Sequence, residues 1–163
     1  MASYLDGKSQ VTAWIKEHFA FGSSILDVGA CDGCWRRYLL EYQMDAVEIF
    51  RPYAERLRLY RRVFICDISD LQYDYYDLII FGDVVEHMTI EAAQKALAYA
   101  HDRCKDMIIA VPFLYPQGEV DGNPYQRHIQ DDLTPQVFAE RYSGFKPLWQ
   151  NKRYCYYHKE ETA

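Results

Sequence analysis

The chain has 163 residues, half of them hydrophobic and 16% aromatic, with 15 tyrosines and a net charge of −6. That is enough for one domain with a real core, too much apolar content for disorder, and the wrong sign for a general nucleic-acid or membrane-surface binder. No apolar run approaches a membrane span, the N-terminus lacks a signal-peptide core, and an odd number of cysteines, five, suits reduced thiols in a cytoplasmic protein.

In chain order, Val11, Trp14, Ile15, His18 and Phe19 share a helical face, and Gly22 and Ser23 end the run, which predicts an N-terminal helix within residues 1–22. Tyr4 and Leu5 precede it, positioned to fold over a pocket. Ile25, Leu26 and Val28 form a short buried strand, followed by a glycine turn at Gly29 and Gly33 and a helix over 34–42. Residues 45–50 read as a second strand ending near Glu48, and Pro52 opens a helix over 53–61. Arg51, Arg56, Arg58, Arg61 and Arg62 concentrate there and read as a solvated helix face.

Residues 63–68 form a third strand ending in Asp67, and residues 76–82 a fourth whose exit loop holds Asp83, Glu86 and His87. An alanine-rich helix over 89–103 and a buried strand over 106–112 follow. Residues 113–133 contain two prolines and two glycines and read as a lid or substrate wall, because a long loop in a compact domain is usually functional. A helix over 135–142 and a hairpin around Asn151-Lys152 complete the chain, read as one domain over residues 1–163.

The turn Leu26-Asp27-Val28-Gly29-x-x-x-Gly33 has Cys31 where a dinucleotide motif would have its second glycine, so it suits a pyrophosphate poorly. The pattern resembles motif I of the class I S-adenosylmethionine-dependent methyltransferases. Glu48, Asp67 with Ile68, and the segment from Asp77 to His87 resemble that superfamily's later motifs, in the same order. The resemblance implies a Rossmann-like α/β fold: a doubly wound, seven-stranded, mostly parallel sheet with an antiparallel last strand and helices on both faces.

It also implies S-adenosylmethionine as cofactor and methyl transfer to oxygen or carbon of a small-molecule acceptor. Asp27, Gly29, Ala30 and Gly33 would surround the methionine part. Glu48 and Ile49 would bind the ribose, Asp67 and Ile68 the adenine, and Phe81 and Asp83 would lie beside them. Two other readings stay open: a cofactor-binding partner subunit without catalysis, and a nucleotide-binding redox domain using Cys31 and Cys34. Self-association is also open.

For catalysis, His87 is the first candidate for a base or acceptor-orienting group, because imidazole transfers protons near neutrality. His128, beside Tyr125 and Arg127, is the second. No metal is expected: Asp83 could supply one acid after the fourth strand, but Val111-Pro112-Phe113 supplies none after the fifth.

Overall fold

The computed structural model describes residues 5–160. The strands are β1 Ser24–Val28, β2 Gln43–Val47, β3 Arg62–Phe64, β4 Tyr76–Gly82, β5 Cys104–Pro112, β6 Phe145–Gln150 and β7 Tyr154–Lys159. They form one sheet in the order β3-β2-β1-β4-β5-β7-β6. The first five pair in parallel, and β7 lies antiparallel to both β5 and β6. Strand order reverses at β1, with β2 on one side and β4 on the other, which opens a crevice at the carboxyl ends of these strands.

Side chains of a strand alternate between faces, and this divides the core in two. Leu26, Val28, Val47, Ile79 and Phe81 point to one face. There they meet Ala93, Ala96, Leu97 and Ala100 of α4 (Ile90–His101) and Phe138 of α5 (Pro135–Arg141). The alanines let α4 lie close to the sheet, and Phe138 stacks on Tyr157 with ring centroids 3.8 Å apart. Ile25, Met44, Leu78 and Ile80 point the other way, toward Val11 and Ile15 of α1 (Lys8–His18) and Trp35 of α2 (Cys34–Tyr38). Thr89 and Thr134 cap α4 and α5 by accepting from the amides of Ala92 and Val137.

Several elements depart from the sequence expectations, the second strand among them: β2 spans Gln43–Val47 instead of residues 45–50. The second helix stops at Tyr38 instead of residue 42, and Leu39 leaves helical geometry. The Arg36 guanidinium fixes that exit by donating to the carbonyls of Leu39, Tyr42 and Leu59. The third helix, expected over 53–61, is only α3, Arg51–Ala54.

Beyond α3 the chain runs back to Asp45, fully buried in β2. Arg61 holds both its oxygens, at 2.9 and 2.7 Å, and Arg62 and Tyr76 reach Oδ2 at 2.7 and 2.8 Å. Burial alone would raise the Asp45 carboxyl, but these donors hold it well below the usual carboxylate range. Arg61 and Arg62 are therefore a structural anchor for the β2–β3 pair, not a solvated helix face. β3 is shorter than expected, since Asp67 turns the chain by accepting from the Ser69 amide at 2.8 Å.

Tyr4 lies outside the described residues, and Leu5 is exposed. Among the described residues, no helix is long and apolar enough to cross a membrane.

Candidate functional site

A cavity sits in the crevice at the carboxyl ends of β1 to β4. It opens to solvent at its mouth and is lined by residues from the ends of these strands and from the 113–133 segment. Its floor includes Val28, Gly29, Cys31, Val47, Glu48, Ile49, Asp67 and Ile68. Its far wall includes Asp83, Glu86, His87 and Met88 from the β4 exit, and Tyr115, Asn123, Tyr125, Gln126 and His128 from the 113–133 segment.

Gly29 has φ +68, a conformation that L side chains rarely adopt. A Cβ there would meet Val84 Cγ2 at 2.4 Å, so the turn is closed by the β4 exit loop as well as by any ligand. The amides of Gly29 and Ala30 both donate to the Val47 carbonyl, which ties the turn to the end of β2. Glu48 then completes the join. Its two carboxylate oxygens accept from the amides of Cys31 at 2.9 Å and Phe50 at 2.8 Å. Burial pushes its pKa up, and these two amides oppose the shift.

Not every residue proposed from the sequence lines the cavity. Gly29, Glu48, Ile49, Asp67, Ile68, Asp83, His87 and His128 do; Asp27, Ala30, Gly33 and Phe81 do not. Asp27 shares strand parity with Ile25, so its side chain joins the α1 layer and accepts from the Tyr60 hydroxyl. Burial raises its pKa to about 7, with the Tyr60 bond and Lys8 opposing. Phe81 shares parity with Ile79 and is wholly buried against the α4 face. Gly33 has φ +74, a left-handed conformation that favours glycine, and a Cβ there would sit tightly, 3.3 Å from Leu57 Cδ2. Ala30 is buried in the α1-side core.

The β4 exit is polar and sheltered. Asp83 has φ +57, an uncommon conformation that turns the chain sharply. Tyr154, at the start of β7, donates to Asp83 Oδ1 at 2.6 Å. Burial raises Asp83, with Tyr154 and Lys8 opposing, and burial with Asp83 nearby raises Glu86 strongly. His87 Nδ1 meets the Arg127 carbonyl at 3.1 Å, and His128 Nδ1 meets the Tyr115 carbonyl at 2.6 Å. Burial pushes His87 down to about 4 and lowers His128 as well. Both rings are therefore neutral at pH 7, better suited to accepting a hydrogen bond than to holding a proton.

Sequence reasoning missed Gln130. Its side-chain amide donates to the carbonyls of Val85 and Met88 at 2.9 and 3.0 Å. Its oxygen accepts from the Tyr142 hydroxyl at 2.8 Å. The amides of Ile129 and Gln130 donate to the Glu86 carbonyl. Together these bonds fasten the 113–133 segment over the cavity. No local motif signals such a residue. Cys31 lines the cavity, but burial pushes its thiol up to about 11, against an activated thiolate.

No protein-family model and no curated protein matches the chain. Solved structures do. A 1,6-didemethyltoxoflavin-N1-methyltransferase of Burkholderia thailandensis, holding 1,6-didemethyltoxoflavin and S-adenosylhomocysteine, aligns over 97% of this chain and 79% of its own, with TM-score 0.70 and 22% identity. An S-adenosylmethionine-dependent methyltransferase of Clostridium acetobutylicum aligns over 96% and 91%, with TM-score 0.72 and 14% identity. A magnesium protoporphyrin IX methyltransferase of Synechocystis with bound S-adenosylhomocysteine aligns over 94% and 81%, with TM-score 0.63 and 16% identity. With strand order β3-β2-β1-β4-β5-β7-β6 and β7 antiparallel to β5 and β6, the chain has the class I S-adenosylmethionine-dependent methyltransferase fold.

Proposed function

We propose that this protein is an S-adenosylmethionine-dependent methyltransferase acting on oxygen or carbon of a small-molecule acceptor. The observation that carries the reading is the convergence of the Gly29 turn, Glu48 and Asp67 on one cavity at the ends of three adjacent strands. The donor set fits the cofactor. A carboxylate held at the end of β2 can accept from both ribose hydroxyls, and Asp67 can accept from an adenine amino group while Ile68 covers the ring. When bound, S-adenosylmethionine supplies a methyl group already activated on a sulfonium.

The protein's remaining task is to align an acceptor and exclude water. The fastened 113–133 segment screens the cavity, and Tyr115 and Tyr125 border it with half-exposed rings. Neutral His87 and His128 can accept from an acceptor hydroxyl and orient it, without being strong bases. The 1,6-didemethyltoxoflavin and the magnesium protoporphyrin IX named for two structural neighbours support a small acceptor with a flat ring system.

The test is calorimetric titration with S-adenosylhomocysteine, followed by methyl transfer to a panel of hydroxylated aromatic acceptors. Binding with transfer is the expected result. Binding without transfer to any acceptor would favour a cofactor-binding partner subunit. An absence of binding would overturn the cofactor site.

A further inference from the structure

Glu86 is buried and lines the cavity, and neither of its carboxylate oxygens meets a hydrogen-bond donor among the described residues. A sheltered carboxylate without a partner is costly, so its surroundings call for a cation or a proton. The main chain at Glu86 is held in place, because its carbonyl accepts from the amides of Ile129 and Gln130.

Beside it are two imidazoles. One ligand atom from each of Glu86, His87 and His128 lies within 4.8 Å of the others. The two rings stand edge to face with centroids 4.7 Å apart. The carbonyls of Arg127 and Tyr115 can only accept, so Nδ1 of each ring is the protonated nitrogen. The lone pair is left on Nε2 in both. A carbonyl on the distal N–H is also the usual way a metal-binding histidine is oriented. One carboxylate oxygen of Glu86 and one nitrogen of each ring thus gather beside a cavity with room for further ligands, and each ring is steadied by a backbone carbonyl.

We propose that Glu86, His87 and His128 bind one divalent cation in the cavity. Two imidazoles and one carboxylate suit Mn²⁺, Fe²⁺, Co²⁺ or Zn²⁺, whereas Mg²⁺ and Ca²⁺ prefer oxygen donors throughout. Three protein ligands leave coordination positions open toward the cavity. An acceptor carrying a hydroxyl or enol oxygen could fill one, and the cation would make that oxygen easier to deprotonate. The rings would then orient the acceptor through the cation instead of directly. This last step rests on the methyl-transfer reading; the cation site does not. The sequence expectation of no metal looked for a second acid after β5. The further donor comes instead from His128, in the segment after β5.

The test uses the full chain, stripped with EDTA and titrated with Co²⁺ while its visible absorption is followed. One Co²⁺ per chain, with the band of a nitrogen-ligated ion, is expected. Glu86→Gln and His128→Ala should each weaken uptake by at least about tenfold, and excess Mg²⁺ should not displace the ion. Circular dichroism of each variant reports whether it folds, and His87→Ala replaces any variant that does not. No stoichiometric uptake, or uptake unchanged in the folded variants, would overturn the proposal; the latter would mean an adventitious ion only. S-adenosylhomocysteine binding without the cobalt band would remove the cation site alone. The band without that binding would remove the methyl-transfer reading alone.

Discussion

Glu48→Gln separates a structural from a ligand-binding role at the end of β2. The substitution keeps the shape of the side chain but exchanges one acceptor for an amide NH₂. In the folded protein both carboxylate oxygens are engaged by backbone donors, Cys31 at 2.9 Å and Phe50 at 2.8 Å. Glutamine can satisfy one of these and opposes its NH₂ to the other, which costs the ligand-free protein about 1–3 kcal/mol. The second lone pairs of the carboxylate are the ones available to ribose hydroxyls. Losing a charge-assisted bond there costs a further 1.5–3 kcal/mol or so, about 10- to 150-fold in Kd. Burial raises the Glu48 pKa and the two backbone amides oppose the rise, so wild type and variant are compared at one fixed pH. Calorimetry compares wild type and variant with S-adenosylhomocysteine and with its 2′,3′-dideoxy analogue. Removing the hydroxyls should weaken wild type but scarcely alter the variant, the signature of a coupled pair. Melting curves of the ligand-free proteins separate the structural loss. If both proteins lose the same factor on removal of the hydroxyls, Glu48 does not bind the ribose.

Two further substitutions test the strand ends. Burial raises Asp27 from 3.8 to about 7, so between these values the folded chain holds a proton that the unfolded chain has released. By linkage, this group's contribution to stability falls as pH rises through that window. Asp27→Asn should therefore flatten the fall in melting temperature between pH 5 and 8; a variant whose pH profile parallels wild type would contradict the assignment. Gly29→Ala places a Cβ 2.4 Å from Val84 Cγ2 at a φ of +68. It should destabilise the fold by about 2 kcal/mol or more in urea unfolding. Adding Val84→Ala should recover part of that loss, and no recovery would show that backbone strain alone is responsible.

The readable parts of this chain were those whose signal is local. Apolar runs marked β1, β4 and β5, and the glycine turn and Glu48 could be assigned to strand ends by counting along the chain, whereas Asp67 falls in the turn after β3. Strand parity was also available and would have corrected two residues. Ile25, Leu26, Asp27 and Val28 alternate between faces, so a cavity on Val28's side leaves Asp27 with Ile25 on the other. Phe81 goes to the α4 face with Ile79 by the same rule. The capture of Arg61 and Arg62 by Asp45 was not readable, because a run of arginines looks the same whether it faces water or a buried carboxylate. Nor was the meeting of Glu86, His87 and His128, which depends on the path of the 113–133 segment.

That path also decides between a mobile lid and a fixed wall. At its C-terminal end the segment is anchored by the amides of Ile129 and Gln130 on the Glu86 carbonyl and by the Gln130 side chain on Val85 and Met88. Each such bond is worth about 1 kcal/mol net, and more is lost if the buried Gln130 amide is stranded. Lifting this end would break all of them together, and it would also pull His128 away from His87. The stretch around Leu114, Tyr115 and Tyr125 is different, with side chains 65%, 40% and 49% exposed. Its backbone is tied as well, Leu114 by its amide to the Leu133 carbonyl and Tyr115 by its carbonyl to the His128 ring, so the exposed side chains of Tyr115 and Tyr125 are the parts that can swing aside while the backbone stays as a wall. On the methyl-transfer reading proposed above, an acceptor would pass these two tyrosine rings before it reaches the histidines, which would favour a flat, partly apolar molecule.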